Sequence, residues 1–286
     1  MTEQSEIWTV LKVLTWTKGY LAEKGVENAR LEAEWLLCEV LGLDRVGLYV
    51  NFDKPLTDAE LALFRGMVAR RARREPLQYI LGTQEFLGLE FDVTPAVLIP
   101  RHDTEVLVAE AVKRTAPTGR ILDIGVGSGC IAVALAKSLP QAEVWGVEKS
   151  PDSLLLAQRN AAKHGVRVTL YEGSLFEPFP GQRFDLIVSN PPYIPTGDLE
   201  NLQPEVRDFE PRGALDGGAD GLDFYRLIIP AAPDYLFPGG LLLFEAGIGQ
   251  AGAVQVLFEA TGRFGELFTT KDAVGIDRVV GGKLSA

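Results

Sequence analysis

The segment from Arg120 to Gly129 reads RILDIGVGSG and places an apolar strand directly before a glycine-rich turn. Residues 130–137 follow as CIAVALAK, and their small apolar side chains predict a helix that packs on a sheet. Glycines let the backbone turn tightly and allow a ligand to touch it. The segment therefore predicts a ligand site at the end of a buried strand.

Acidic residues near this turn indicate which ligand it binds. A dinucleotide fingerprint would have Gly or Ala at position 130, where this chain has Cys130. Asp123 precedes the glycines, and its carboxylate repels phosphate but suits the ammonium of an amino-acid tail. Glu148 ends the next strand and is placed to accept hydrogen bonds from two ribose hydroxyls. The pattern favours S-adenosylmethionine over NAD, with these candidate binding residues: Asp123, Gly125, Val126, Gly127, Ser128, Gly129 and Glu148.

Strand and helix patterns alternate from residue 100 to residue 281. Apolar runs predict strands at 120–124, 142–147, 166–171, 184–188, 240–245, 264–270 and 276–281. Helices are predicted at 103–116, 129–138, 151–164, 221–236 and 250–261, with Ser150 and Pro151 starting the third of them. This alternation predicts an open, doubly wound α/β domain with a mostly parallel sheet. Ligands of such sheets bind at the carboxyl ends of the strands, near the switch point.

Asn190-Pro191-Pro192-Tyr193 follows the strand predicted at 184–188 and is the second chemical signal. Two consecutive prolines fix φ and remove two backbone donors, so the turn is stiff and presents carbonyl oxygens. The Asn190 side-chain carbonyl and the Pro191 backbone carbonyl are then able to accept both hydrogens of one planar NH2 group. Tyr193 is predicted to lie against the flat face of the group that carries this nitrogen. These four residues are the candidate catalytic and substrate-binding residues, and Asn190 also faces the cofactor.

With these pieces in place, the chain resembles the HemK-type glutamine methyltransferases, which methylate the glutamine of the Gly-Gly-Gln motif in peptide-chain release factors. The resemblance covers most of the chain and rests on residues 82–86, 98–105, 123–129, 188–194 and 209–211. It implies a seven-stranded sheet of the S-adenosylmethionine-dependent methyltransferase type, with S-adenosylhomocysteine as the second product. His102, Glu148 and Ser174 depart from the usual pattern. Leu175 stands where the family often has an aromatic residue, and it is expected to cover one face of the adenine.

Three other functions remain open at this point. A glutamine methyltransferase that acts on a ribosomal protein would share nearly every motif. An adenine amino methyltransferase acts on an NH2 group of the same geometry after flipping the base out of the helix. A cofactor-binding module without catalysis would not need the Asn190–Tyr193 turn.

The region before this domain looks different, because residues 1–75 carry apolar side chains at helical spacing and no strand alternation. They predict a helical bundle, for which substrate recognition and a purely stabilising role are equally open. Pro76 is predicted to end the helices, and residues 76–98 to form a β-hairpin linker to a methyltransferase domain at 99–286. Residues 194–220 are rich in glycine and are predicted to form an irregular, mobile flap over the site.

Composition indicates a cytoplasmic enzyme that does not bind DNA. The 286 residues carry a net charge of −11, whereas proteins that bind duplex DNA usually present a broad basic face. One short basic cluster, Arg70-Arg71 and Arg73-Arg74, is either a solvated helix end or a contact for RNA or an acidic protein. No apolar run approaches the roughly 18 residues of a membrane helix, and Met1–Glu6 lacks the features of a signal peptide. Neither the two cysteines nor the two histidines have metal-ligand spacing.

Overall fold

The computed structural model describes residues 7–285, and these residues form two compact units. The first unit contains the chain up to Gly82 together with Pro204–Phe209. The second unit contains Thr83–Gln203 and the chain from Glu210 onward. Met1–Glu6, on which the expectation of a missing signal peptide rests, lies outside the described residues. No helix within residues 7–285 combines the length and the apolar character that a transmembrane span requires.

The regular elements are named here in chain order. The helices are α1 Val10–Glu23, α2 Ala29–Leu41, α3 Arg45–Val50, α4 Asp58–Ala72, α5 Leu77–Leu81, α6 Glu105–Arg114, α7 Cys130–Ser138, α8 Pro151–Lys163, α9 Pro204–Phe209, α10 Asp223–Ala231 and α11 Ala251–Thr261. The strands are β1 Thr83–Phe86, β2 Leu89–Asp92, β3 Arg120–Ile124, β4 Glu143–Glu148, β5 Val168–Glu172, β6 Phe184–Ser189, β7 Leu236–Glu245, β8 Phe264–Lys271 and β9 Asp277–Leu284.

The first unit is a helical bundle whose apolar positions come from α1, α2 and α4, as the helical spacing predicts. Thr57 caps α4 through a capping box with Glu60, because each side chain bonds the other's backbone N–H. Two short helices, α3 and α5, were not predicted, since five or six residues are too few to show a periodic pattern. The prediction that Pro76 ends the helices was wrong: Pro76 precedes the first residue of α5 and starts that helix.

Three arginines of the basic cluster at the end of α4 form ion pairs within the first unit, whereas Arg73 is exposed. Arg71 is 4% exposed and forms ion pairs with Glu32 and, at 2.8 Å, with Glu205 of α9. Arg74 holds the other oxygen of the Glu205 carboxylate at 2.7 Å, and Arg70 pairs with Glu75 at 2.6 Å. These arginines therefore serve internal ion pairs that hold α9 within the first unit.

The Glu205 ion pairs predict a specific loss of stability. Burial by itself raises the pKa of the Glu205 carboxyl, but the hydrogen bonds from Arg74 and Arg71 outweigh it and lower the pKa to about 2. We expect Glu205→Gln to destabilise the first unit by about 2 kcal/mol, between the values for exposed and buried pairs. Urea unfolding at neutral pH, followed by tryptophan fluorescence, measures this, because Trp8, Trp16 and Trp35 lie in that unit.

Asp208→Asn is the matched control, since Asp208 lies on the same helix and pairs with Arg207 on the exposed surface. We expect it to change the free energy of unfolding by less than about 0.5 kcal/mol. The stabilisation from Glu205 is present above the unfolded-state pKa of about 4.3 and is lost as the pH falls toward about 2. Equal stability of Glu205→Gln and the unsubstituted chain at neutral pH would contradict the assignment.

The second unit is built on a seven-stranded sheet in the order β5-β4-β3-β6-β7-β9-β8. Six of these strands run in one direction, and β9 runs in the opposite direction between β7 and β8. The predicted doubly wound, mostly parallel sheet is thus confirmed. Buried side chains of the two sheet faces form two apolar clusters, one against α10 and α11 and one against α6 and α7. The strand order reverses between β3 and β6, and the carboxyl ends of these strands carry the glycine turn and Asn190.

Two details of the chain after α5 differ from the sequence prediction. The hairpin of β1 and β2 groups with the second unit, since Asp92 exchanges hydrogen bonds with the buried Asn160 of α8. Residues 194–220, predicted to be irregular, contain α9 and two short 3-10 helices, Thr196–Asn201 and Arg212–Ala214. Ile194 bonds Leu215 and Gly217 through its backbone, which ties the start of this segment to its end.

Candidate active site

A cavity of about 540 Å³ opens at the carboxyl ends of β3, β4 and β6 in the second unit. The glycine turn, the end of β4 and the double-proline turn all contribute to its wall, as the switch-point prediction requires. Of the predicted site residues, the cavity is lined by Gly125, Val126, Gly127, Ser128, Glu148, Leu175, Asn190, Pro191 and Pro192. Asp123, Gly129 and Tyr193 lie beside it and do not line it.

The glycine turn follows β3 and is fixed by bonds to β4. Gly125 and Gly127 have φ values of 80° and 56°, in the left-handed region that glycine reaches without strain. The backbone N–H groups of Gly125 and Val126 donate to the Val147 carbonyl at 2.9 and 3.2 Å. The buried Asn160 side chain donates to the Ser128 carbonyl at 2.8 Å. The turn is therefore held in shape by both β4 and α8.

Glu148 stands at the end of β4 with both carboxylate oxygens facing the turn. Its Oε2 accepts the Gly127 N–H at 2.9 Å, and its Oε1 accepts the Ser150 N–H at 2.9 Å. Because each carboxylate oxygen has two acceptor sites, one remains on each oxygen for a ligand hydroxyl. The Glu148 carboxylate is thus oriented by the protein and keeps the capacity to bind two ribose hydroxyls.

Asp123 lies under the turn and is fully buried. Neither of its carboxylate oxygens has a hydrogen-bond partner within residues 7–285. Burial raises the pKa of Asp123 to about 7 and the nearby charge of Glu148 adds to this shift, although the Ala132 backbone N–H lies near enough to lower the pKa. A buried carboxyl group without donors is an acceptor for a cationic or N–H-bearing ligand group, although it does not itself reach the cavity surface.

Gly129 packs closely against α8 and does not line the cavity, and its contact with a ligand stays a prediction. Gly129 has a φ of 86° and immediately precedes the first residue of α7. A Cβ at this position would lie 3.2 Å from the Ala157 Cβ of α8. The absence of a side chain therefore lets α7 and α8 approach each other. The next residue, Cys130, lines the cavity instead, and burial raises the pKa of its thiol to about 12, so the sulfur is a neutral, apolar contact.

The double-proline turn presents the two oxygens that the sequence predicts. The Asn190 amide nitrogen donates to Thr104 Oγ1 at 3.2 Å, which leaves the side-chain carbonyl Oδ1 as the acceptor that faces a ligand. Within residues 7–285, no donor forms a hydrogen bond with Asn190 Oδ1 or with the Pro191 carbonyl. Both residues line the cavity. The two acceptors are therefore available to a substrate NH2 group.

Tyr193 packs behind this turn. Its hydroxyl donates to Glu245 Oε1 at 3.3 Å, and its backbone carbonyl accepts the Gln250 side-chain N–H at 2.9 Å. Burial and the neighbouring Glu245 carboxylate raise the pKa of Tyr193, so the hydroxyl stays protonated. The ring packs against the apolar core of the second unit, and its contact with the substrate stays a prediction. Gly221 packs directly on the Tyr193 carbonyl, where a Cβ would lie 2.2 Å away.

Three polar residues near the cavity, Arg101, Thr104 and Glu245, had no role in the site predicted from the sequence. Arg101 pairs with Glu210, which is 6% exposed and also accepts the Ile99 N–H. Thr104 and Glu245 were missed. Thr104 begins a helix, where a hydroxyl is ordinary, and Glu245 ends β7 as Glu148 ends β4, which is the signal that identifies it in retrospect. No group of His, Cys, Asp and Glu within the described chain has the arrangement of a metal site.

The residues of the cavity fit S-adenosylmethionine. Glu148 offers two acceptor positions and Leu175 offers an apolar wall, while the Asp123 carboxyl lies buried behind the glycine turn and outside the lining. The volume lies within the usual range of small-molecule sites, about 300–1,000 Å³. Leu175 has a φ of 51°, an uncommon value for a branched side chain, and this conformation brings the residue into the cavity wall.

Comparisons with known proteins agree with this site. Residues 12–82 match the model of the PrmC N-terminal domain, and residues 102–202 match the methyltransferase small domain. A release factor glutamine methyltransferase of Geobacter sulfurreducens is 72% identical over 284 residues, which is 99% of this chain and 100% of the relative. The protein of the same name from Moorella thermoacetica is 47% identical and covers 90% of this chain and 92% of its own.

Solved structures support the fold. A methyltransferase from Pyrococcus furiosus covers 76% of this chain and 99% of its own at a TM-score of 0.55 and 19% identity. A 16S rRNA methyltransferase from T. thermophilus, in complex with AdoMet and guanosine, covers 71% of this chain and 49% of its own at a TM-score of 0.52 and 23% identity. Because the 72% identity to the Geobacter sulfurreducens relative extends over 99% of this chain, the protein belongs to the release factor glutamine methyltransferase family and is an S-adenosylmethionine-dependent methyltransferase.

Proposed function

We propose that this chain transfers a methyl group from S-adenosylmethionine to the side-chain amide nitrogen of the glutamine in the Gly-Gly-Gln motif of release factors. The names of its relatives support this substrate. The observation that carries the proposal is the pair of acceptors, Asn190 Oδ1 and the Pro191 carbonyl, without internal donors in the cavity wall. Two acceptors side by side match the two hydrogens of one amide NH2 group.

The chain's own residues overcome the weak nucleophilicity of an amide nitrogen, whose lone pair is delocalised into its carbonyl. S-adenosylmethionine supplies a methyl group on a sulfonium, which is already a strong electrophile. Asn190 and Pro191 fix both N–H bonds of the substrate, so that the nitrogen is oriented before the reaction. The same two oxygens stabilise the positive charge that grows on the nitrogen as the new bond forms. One proton then leaves the methylated amide.

The glycine turn and the acids around it hold the cofactor in this proposal. Glu148 binds the ribose hydroxyls, and the backbone from Gly125 to Ser128 contacts the rest of the nucleoside and its tail. Asp123 attracts the ammonium of the amino-acid part, and Leu175 covers the adenine. Gly129 contributes by letting α7 pack closely.

Release factors are the proposed partners, and the cytoplasm is the proposed location because translation terminates there. No binding to DNA or to membranes is expected. The net charge of −11 and the internal ion pairs of Arg70, Arg71 and Arg74 support this, since both reduce the positive charge available for phosphate.

Transfer of radiolabelled methyl groups tests the substrate. The enzyme is incubated with labelled S-adenosylmethionine and, in parallel, with release factor, ribosomal protein and DNA. A release factor in which glutamate replaces the motif glutamine is the matched control. We expect label in the release factor and none in its glutamate variant. Label that enters the ribosomal protein or DNA faster than the release factor would overturn the proposed substrate.

A further inference from the structure

Arg101 is a charged residue of the cavity wall that the proposed reaction does not use. Among residues 7–285, the cavity lining contains three charged side chains, which belong to Arg101, Glu148 and Lys149. Glu148 and Lys149 are consecutive and stand together at the end of β4, whereas Arg101 comes from a different part of the chain. In a small-molecule site, the few polar groups among apolar ones fix the orientation of the ligand. A cation in this wall therefore predicts an anionic group on the ligand.

The backbone places Arg101 at the Asn190 end of the cavity. Arg101 directly precedes the short 3-10 helix His102–Thr104, and its carbonyl accepts the Thr104 N–H at 3.1 Å. Thr104 Oγ1 in turn accepts a hydrogen bond from the Asn190 amide nitrogen at 3.2 Å. Arg101 thus lies close to the residue that faces the transferred methyl group, while Lys149 lies at the ribose-binding end.

The buried Glu210 carboxylate holds the Arg101 side chain in this place. One oxygen of Glu210 accepts an N–H of Arg101, and the other accepts the Ile99 N–H at 3.2 Å. Glu210 is 6% exposed and does not line the cavity. Both of its oxygens are used within the protein, so Glu210 orients the guanidinium and leaves ligand binding to Arg101.

Arg101 keeps most of its donors for a ligand. A guanidinium has five N–H groups in a planar fork, and one of them forms a hydrogen bond within residues 7–285. Because Glu210 takes this single N–H from a terminal nitrogen, one of the two edges that carry a pair of parallel donors stays complete. Two parallel N–H groups match the two oxygens of a carboxylate. The free edge of Arg101 is therefore a carboxylate receptor in the cavity wall.

We propose that Arg101 binds the carboxylate of the amino-acid part of S-adenosylmethionine. This inference rests on the cofactor placement of the proposed function, in which Glu148 binds the ribose and the methyl group faces Asn190. The amino-acid part branches from the same sulfur as that methyl group, so a cation close to Asn190 is the one that its carboxylate meets. A carboxylate that leaves water needs such a partner, and Arg101 supplies it.

An analogue without the carboxylate tests this assignment. Decarboxylated S-adenosylmethionine keeps the nucleoside, the sulfonium and the amine, and it differs from the cofactor in the missing carboxylate alone. Calorimetry with each compound, without any methyl acceptor, gives the ratio of the two dissociation constants. We expect the parent to bind S-adenosylmethionine about 30-fold more tightly than the analogue. Arg101→Gln should bind the two compounds with nearly equal affinity.

Two further variants separate ligand binding from folding. Loss of Arg101 alone leaves the Glu210 charge buried without its partner, which destabilises the fold and repels an anionic ligand. The double variant of Arg101→Gln and Glu210→Gln removes both charges, keeps an acceptor for the Ile99 N–H and should likewise show no preference. Lys149→Gln is the matched control, because it removes the other cation of the lining. We expect Lys149→Gln to retain the preference of the parent.

Three results would overturn the proposal. The first is a preference for S-adenosylmethionine that survives in Arg101→Gln and in the double variant, even if both compounds bind more weakly. The second is a parent without any preference. The third is an unchanged pair of dissociation constants in Arg101→Gln together with a higher KM for the release factor, which would assign the guanidinium to backbone carbonyls of the protein substrate.

These outcomes are distinguishable from failure of the proposed function. A parent that shows the preference but methylates no release factor would contradict the substrate and leave the role of Arg101 intact. A parent that binds neither compound would contradict the cofactor placement and, with it, this inference.

Discussion

Asn190→Ala should abolish nearly all methyl transfer while leaving the cofactor bound. The substitution removes Oδ1, one of the two acceptors that hold the substrate NH2 group, and with it the charge stabilisation of the transition state. Removal of one preorganised hydrogen-bonding group typically costs about 10²–10³ in kcat, and loss of orientation adds to this. We therefore expect a fall of about 10³-fold in single-turnover rate, with the Kd for S-adenosylmethionine changed less than about threefold by calorimetry.

Two further variants make this result specific. Asn190→Asp keeps an acceptor but loses the donor to Thr104, so its rate should lie between those of the parent and Asn190→Ala. Asn201→Ala removes an exposed amide from the same unit and should be neutral. Parental turnover by Asn190→Ala would contradict the positioning account, as would a rate loss that follows a matching loss of cofactor affinity.

Glu148→Ala should weaken cofactor binding more than any single change in the glycine turn. Hydrogen bonds to a charged acceptor contribute about 1.5–3 kcal/mol each, and the same carboxylate orients the Gly127 N–H. We expect the Kd for S-adenosylmethionine to rise about 100-fold, with kcat restored largely at saturating cofactor. Glu148→Gln retains one acceptor, and we expect it to raise the Kd for S-adenosylmethionine only about tenfold.

Glu172 provides the matched control for this measurement. It ends β5 beside Glu148 in the sheet register, is exposed and does not line the cavity. Glu172→Ala should therefore leave the Kd unchanged. Equal affinity of Glu148→Ala and the parent would remove the ribose role of Glu148, whatever the effect on turnover.

The sequence predicted those features that depend on neighbouring residues. β3 has the predicted bounds, and Ser150 and Pro151 begin α8 as expected, because strand patterns and helix caps are local. The same reasoning identified the turn from Asn190 to Pro192, whose stiffness is a property of the two prolines. Short helices such as α3 and α5 were missed, since their stability comes from packing rather than from a periodic pattern.

Features that depend on distant residues were beyond the sequence. Gly129 looked like a ligand contact because glycines after a strand suggest one, yet the residue it accommodates, Ala157, belongs to another helix. The Arg71–Glu205 ion pair joins residues from opposite parts of the chain, so the charges at the end of α4 looked solvated. Thr104 likewise becomes informative only where the fold brings it to Asn190.

In the proposed reaction, one flat NH2 group is held by Asn190 Oδ1 and the Pro191 carbonyl. A crystal structure of the chain with S-adenosylhomocysteine and a glutamine peptide bearing the Gly-Gly-Gln sequence measures this directly. We predict that the glutamine nitrogen lies about 3 Å from each oxygen, with both bonds directed along its N–H groups. A glutamine bound with its carbonyl toward Asn190, or a nitrogen out of reach of either oxygen, would contradict the account.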